Sequence, residues 1–195
     1  MLITDHIILV LLWLLFGILH SLLAAGWWKR LMQRWLHAHY KYYHFAYSVF
    51  AALTLIGILL FQYTMQSRLL FTLPGWVNVL LGLPVLAGVA IMLVVIRKYF
   101  FSLSGISVFY KQPPPAVLEQ GGLHRYVRHP LYSGTLLFIW SLFFLFPYLS
   151  NLLACVVITL YTLLGARLEE KKLVTQFGEE YIAYKKRVPM VIPRF

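Results

Sequence analysis

Residues 131–166 read LYSGTLLFIWSLFFLFPYLSNLLACVVITLYTLLGA, thirty-six positions without a single charged side chain. As one straight helix this run would rise about 54 Å, far more than a bilayer core of about 30 Å. Pro147-Tyr148-Leu149-Ser150-Asn151 carries turn chemistry near its middle. The run therefore predicts a helical hairpin, with arms at 131–146 and 151–166 and a nearly buried tip. Each arm is short for a full crossing, which calls for tilt, local thinning or an incomplete span.

Three further apolar runs lie upstream, at about Ile7–Ala25, His44–Met65 and Trp76–Ile96. The first reads as a span rather than a signal peptide. No Lys or Arg precedes it, and Trp27-Trp28-Lys29-Arg30 stands where cleavage would fall. The third contains Pro84, which membrane helices tolerate when neighbours satisfy the freed carbonyl. The predicted fold class is thus all-α: a polytopic integral membrane protein with five transmembrane helices, the last two a hairpin. It forms a single membrane domain over 1–195.

Composition agrees. Of 195 residues, 61% are hydrophobic and 12% charged, against roughly 45–50% and about 25% in soluble domains. A soluble enzyme and a disordered chain are both excluded on that balance. Seventeen Lys and Arg oppose six Asp and Glu. With five spans and the N-terminus outside, every basic residue but Arg68 falls on the inner side. That places the C-terminus and segments 97–130 and 167–195 in the cytoplasm. Membrane loops explain the basic charge, no nucleic-acid module is present, and nucleic acid is not an expected partner. The lone Cys155 permits no disulfide or thiol metal cluster. No targeting segment is recognisable, and the expected location is a bacterial or archaeal inner membrane.

The two cytoplasmic segments hold most of the polar material. In the second, a helix at Arg167–Phe177, a break at Gly178 and a helix at Glu179–Arg187 are predicted. Val174, Phe177, Tyr181, Tyr184 and Val188 share one face. In the first, Gly121-Gly122-Leu123-His124-Arg125-Tyr126-Val127-Arg128-His129-Pro130-Leu131-Tyr132-Ser133-Gly134 leads into the hairpin. Pro130 suits the first turn of a helix. Both hairpin arms end at one face, so Arg128 and His129 meet Arg167, Glu169 and Glu170. Cations, carboxylates and Tyr126 and Tyr132 converging there suit a zwitterion with an aromatic part. Arg holds a carboxylate, Glu an ammonium or ribose, and tyrosine an adenine or sulfonium. S-adenosylmethionine has all these parts. An equally open reading puts Arg128 and His129 against lipid headgroups and the Glu pair in exposed salt bridges.

Residues 116–193 resemble the isoprenylcysteine carboxyl methyltransferases, within the group that includes membrane phospholipid methyltransferases. The resemblance rests on the G-x-x-x-x-x-R-H-P-x-Y-x-G stretch from Gly122 to Gly134, on Glu169-Glu170, and on the run from Phe177-Gly178-Glu179-Glu180-Tyr181 to Val188-Pro189. His20-Ser21-Leu22-Leu23-Ala24 and the ending Arg187–Pro193 are similar to bacterial methanethiol S-methyltransferases and to membrane proteins associated with nitrite and nitric oxide reduction.

The resemblance implies a methyltransferase that binds S-adenosylmethionine in a cytoplasmic pocket and releases S-adenosylhomocysteine. Carried over by position, Ala116, Val117, Leu118 and Glu119 line the cofactor, and His129, Pro130, Leu131 and Tyr132 wrap it. Glu169 anchors it, and His124 stands where the family usually has Tyr. Arg128 positions the loop or the acceptor. A thiol or amine acceptor must lose a proton, a step open to His129, to His124 or to a histidine near the inner ends of the first two spans; Arg128 and His129 are the candidate catalytic residues. An acceptor arginine of the carboxyl methyltransferases is replaced by Gly165, with Arg167 nearby. Arg167, His20 and His44 are candidate acceptor-binding residues. No metal ligand set is expected. The acceptor is a lipophilic or small thiol, carboxylate or amine that arrives through the bilayer or from solution. Two other classes stay open: a haem- or metal-binding redox subunit using His20 and His44, and a non-catalytic accessory protein retaining the fold.

Overall fold

A computed structural model describes residues 2–104 and 117–194. Its elements are α1 (Leu2–Ala24), α2 (Gly26–Leu36), a 3-10 turn (His37–Tyr42), α3 (Tyr43–Thr64), α4 (Gly75–Ser104), a 3-10 turn (Gly122–Arg125), α5 (Pro130–Leu145), α6 (Leu149–Phe177) and α7 (Glu179–Arg187). The described residues form no strand; one isolated bridge joins Leu69 to Tyr148. Among the described residues, four helical stretches are long and apolar enough to cross a bilayer: Ile3–Ala24, Gly26–Thr64, Gly75–Lys98 and Leu149–Phe177. The 16-residue α5 is the fifth apolar helix, rising about 24 Å.

The hairpin forms close to where the sequence places it. Leu149–Phe177 then continues unbroken through the position where a separate helix was expected to begin at Arg167. The physical reason is that only polarity changes there. Ala166, Arg167, Leu168, Glu169 and Glu170 are helix-compatible, and no Gly or Pro interrupts them. The break comes at Gly178, with φ of +55°, a conformation that costs glycine little.

The chain divides into two compact units. The first comprises residues 2–68, 99–104 and 149–157. Polar side chains inside its apolar helices find one another: Trp13 donates to Gln62 (3.1 Å), and Gln62 donates to Asn151 (2.8 Å). Ser67 Oγ accepts from the Ser150 amide (2.9 Å) and lies 3.1 Å from His6 Nε2. Such pairing is what a medium without water demands. Trp27, Trp28 and Trp35 all lie on α2. There Trp27, Trp28, Leu31, Met32, Trp35 and Leu36 occupy one side and Lys29, Arg30, Gln33 and Arg34 the other, the pattern of an interfacial helix.

The second unit comprises residues 69–98, 117–148 and 158–194 and holds the stretch from Gly122 to Gly134. Here α4 and α5 cross at Gly88 and Gly134. A Cβ on Gly134 would lie 2.9 Å from Ile91 and 3.0 Å from the Gly88 carbonyl; one on Gly88 would lie 2.8 Å from the Phe138 amide. Small residues let membrane helices approach this closely. Trp140 donates to Thr159 (3.0 Å), tying α5 to α6.

Candidate functional site

Proline at the first turn of α5 fixes the start of the helix, and His129 stands as its N-cap. The preceding residues do not cap the helix with a side chain. Instead the chain beyond α7 runs alongside them. Pro189 accepts from the Arg128 amide (2.9 Å), Met190 from the His129 amide (3.0 Å), and Val191 from Ser133 Oγ (2.6 Å).

Arg128 binds this strap from below. Its Nε donates to Glu170 Oε1 (2.7 Å), and its Nη1 donates to the carbonyls of Lys185 (3.1 Å) and Val188. Lys185 Nζ reaches the other Glu170 oxygen at 2.9 Å. The Arg128 and Glu170 side chains are only 7% and 6% exposed. A guanidinium, a carboxylate and the carboxyl-terminal carbonyls of α7 thus form a closed, buried clamp, in which the cation also meets the negative end of that helix. Tyr181 and Tyr184 are buried beside it; burial and the neighbouring Glu170 push the Tyr181 hydroxyl up to about 12. Tyr184 donates to the His124 carbonyl (2.6 Å), and Gln120 bridges Glu180 and Arg187. The 119–124 loop is thereby fastened to α7.

Above the clamp lie His129, Tyr132 and Glu169. The His129 and Tyr132 rings stack at 5.4 Å and 18°. Tyr132 donates to Glu169 (3.2 Å), whose side chain is 49% exposed. The imidazole is buried, with Nδ1 3.6 Å from Glu169 and Nε2 3.5 Å from Glu170, and Nε2 makes no hydrogen bond of ordinary geometry. Burial lowers the His129 pKa, against the pull of both carboxylates. On the adjoining loop, Glu119 accepts from Lys98 (2.7 Å) and the Gly121 amide (3.0 Å). Those bonds hold its carboxyl below the usual range. Burial lowers the His124 pKa, opposed by Glu119.

The fold therefore brings together His129, Tyr132 and Glu169, with Pro130 and Leu131 in the same turn, and sets Glu119 and His124 on the adjoining loop. Leu118 is partly buried, Val117 is exposed, and Ala116 lies outside the described residues. Arg128 faces the clamp. Arg167 is exposed on α6, two residues and about 200° around the helix from Glu169. His20 and His44 belong to the first unit, where both rings neighbour Tyr47. Sequence reasoning placed Glu170 at this face but gave it no separate role, and it did not select Lys185. A signal existed: the stripe Val174, Phe177, Tyr181, Tyr184 extended one turn back arrives at Glu170, not Glu169. It marks Glu170 as the buried member of the pair.

A polytopic helical protein with this Arg-His-Pro turn and paired glutamates belongs to the class of membrane methyltransferases that includes the phospholipid and isoprenylcysteine enzymes. The chain is a member of the phospholipid methyltransferase family, whose model matches residues 77–180. It is 29% identical to the methanethiol S-methyltransferase of Crocosphaera subtropica, over 92% of this chain and 71% of that protein. It is 28% identical to methanethiol S-methyltransferase 1 of Bradyrhizobium diazoefficiens, over 96% and 66%. A protein-S-isoprenylcysteine O-methyltransferase of Schizosaccharomyces pombe is 39% identical over 40% of this chain and 33% of its own. The chain thus spans about two thirds of the length of the first two relatives. No solved structure matches.

Proposed function

We propose that this chain is an S-adenosylmethionine-dependent methyltransferase acting on a small thiol. The observation that carries the reading is the buried Arg128–Glu170 clamp, which leaves Glu169, Tyr132 and His129 presented together above it. The donor set fits the cofactor. Glu169 offers a half-exposed carboxylate to an ammonium or to ribose hydroxyls. The stacked His129–Tyr132 pair offers a ring face, and Leu118, Pro130 and Leu131 the apolar wall. Bound there, S-adenosylmethionine would supply a methyl group already activated by its sulfonium and leave as S-adenosylhomocysteine.

The residues then need to align the acceptor and exclude water. A thiol must also lose its proton. His129, whose neutral form burial favours, lies near Glu169 and Glu170, which would stabilise the imidazolium formed when it accepts that proton. Arg128 is a positioning residue, because its donors are committed to Glu170 and the strap. The relatives' names favour a small thiol over the lipid amine or prenyl carboxylate. The family match begins after His20 and His44, so it lends the redox reading no support.

In this reading the protein is an integral membrane protein of five spans with the N-terminus outside. Its site faces the cytoplasm of a bacterial or archaeal cell, and the acceptor arrives from solution or the bilayer. The test is transfer of radiolabelled methyl groups from S-adenosylmethionine to methanethiol by the purified protein in nanodiscs. Labelled dimethyl sulfide above the His129→Ala background is expected. Labelling of phosphatidylethanolamine or of a farnesylcysteine carboxylate, with none of the thiol, would overturn the thiol assignment.

A further inference from the structure

The first unit contains a cavity of about 290 Å³ between α1 and α3. Leu12, Leu15, Phe16, Phe50 and Ile58 are among the side chains that make its walls apolar. None of its lining residues is Lys, Arg, Asp or Glu. Its polar groups are few. Thr54 turns its hydroxyl back to the Phe50 and Ala51 carbonyls (2.8 and 3.0 Å). That leaves one polar corner, where the Tyr47 hydroxyl lies 2.9 Å from His20 Nδ1 and 3.0 Å from Nε2 and also reaches the His20 carbonyl at 3.3 Å. Gly57 borders the cavity, and a Cβ there would meet nothing within 4 Å.

We infer that this cavity is a binding site for an uncharged amphiphile of about a dozen non-hydrogen atoms, its hydroxyl or thiol held by the His20–Tyr47 pair. The size follows from volume: a cavity of about 150 Å³ takes a benzene, and this one is about twice as large. The neutrality follows from the lining, because a charged head would be buried without a counter-charge. The single head group follows from the single polar corner. The imidazole and phenol both donate and accept, so that corner suits a group that does the same. This site stands independently of the methyl-donor reading, since it uses residues of the first unit only.

The test is photolabelling of the whole protein in phosphatidylcholine nanodiscs with a diazirine-bearing octanol, the labelled positions being read by mass spectrometry. Labels are expected on α1 and α3 around Leu19 and Tyr47, saturable and competed by 1-decanol. Decane, which lacks the head group, is expected to compete about fivefold less well, the worth of one neutral hydrogen bond. Gly57→Phe, which fills the cavity, is expected to remove these labels and leave those on other helices. Labels that decanol does not displace would mean that bilayer lipid occupies the cavity and would overturn the inference. Equal competition by decane would do the same, and neither result depends on how the variant folds.

Discussion

Replacing Arg128 with Ala removes a cation that joins α6, α7 and the strap. The Glu170 carboxylate would remain 6% exposed, keeping only Lys185 at its other oxygen. Removing one partner of a buried pair costs about 3–5 kcal/mol, because the other charge stays behind. The carbonyls of Lys185 and Val188 lose their donor as well, but these losses share one cause and do not simply add. For a chain of this size each kcal/mol moves the melting temperature by about 2–4 °C, so the expected fall is about 6–20 °C. The assay is thermal unfolding in detergent, paired with limited trypsin digestion of the folded protein. Cleavage after Lys185, Lys186 and Arg187 should accelerate well below the melting temperature, because the strap is released before the helices separate. Arg128→Lys should fall between wild type and alanine, keeping the charge but losing the fork. The double variant Arg128→Ala/Glu170→Ala should cost less than the sum of the single changes. A fall of under about 2 °C for Arg128→Ala, with no faster trypsin cleavage, would refute the clamp.

Three further outcomes follow from the same structure. Gly134→Leu should drive α4 and α5 apart at a cost of about 1–3 kcal/mol, since a Cβ already meets Ile91 and the Gly88 carbonyl; Gly82→Ala, with open space, should match or exceed wild type in a thermal melt. Burial lowers the His129 pKa, so the unfolded chain takes up this proton first as pH falls. Its contribution to stability is therefore fully present above about pH 6.5 and lost as pH drops through the lower folded value. Melting temperatures between pH 8 and 5 should fall less steeply in His129→Asn than in wild type. In a Cys155→Ser background, a cysteine at position 68 should react with an impermeant maleimide from outside intact cells and one at position 186 only after permeabilisation. Labelling of both from the same side would contradict the five-span topology.

Much of this was legible in the sequence because membranes simplify it. The charge-free run at 131–166 and the turn at Pro147 were enough to place the hairpin, since burial in lipid forces a helix wherever the chain is apolar. Pro130 marked a helix start and Gly178 a helix break for backbone reasons that act locally. The length of α6 was misread because a shift from apolar to charged residues resembles a boundary, while helix propensity ran on through it. The site was legible as a set of residue types converging at one face. Which glutamate is buried was legible only by carrying the Val174, Phe177, Tyr181 stripe back one turn to Glu170; its pairing with Arg128 was not, because that depends on the rotation of α6 against Arg128, a tertiary quantity. The strap was likewise invisible: Pro189, Met190 and Val191 act through backbone carbonyls, which carry no signature in side-chain chemistry. The amphipathic α2 was open to the same stripe reading, from the three–four spacing of Trp28, Leu31 and Trp35.

The central claim is that Glu169, Tyr132 and His129 hold the methyl donor above the Arg128–Glu170 clamp. It is tested most directly by calorimetric binding of S-adenosylhomocysteine to the full chain in nanodiscs, wild type beside Glu169→Gln and His129→Ala. The account predicts saturable wild-type binding that each substitution weakens about tenfold or more, about 1.4 kcal/mol, with melting temperatures that show both variants folded. Absence of binding to folded wild-type protein at about millimolar ligand, or binding that neither substitution alters, would contradict it.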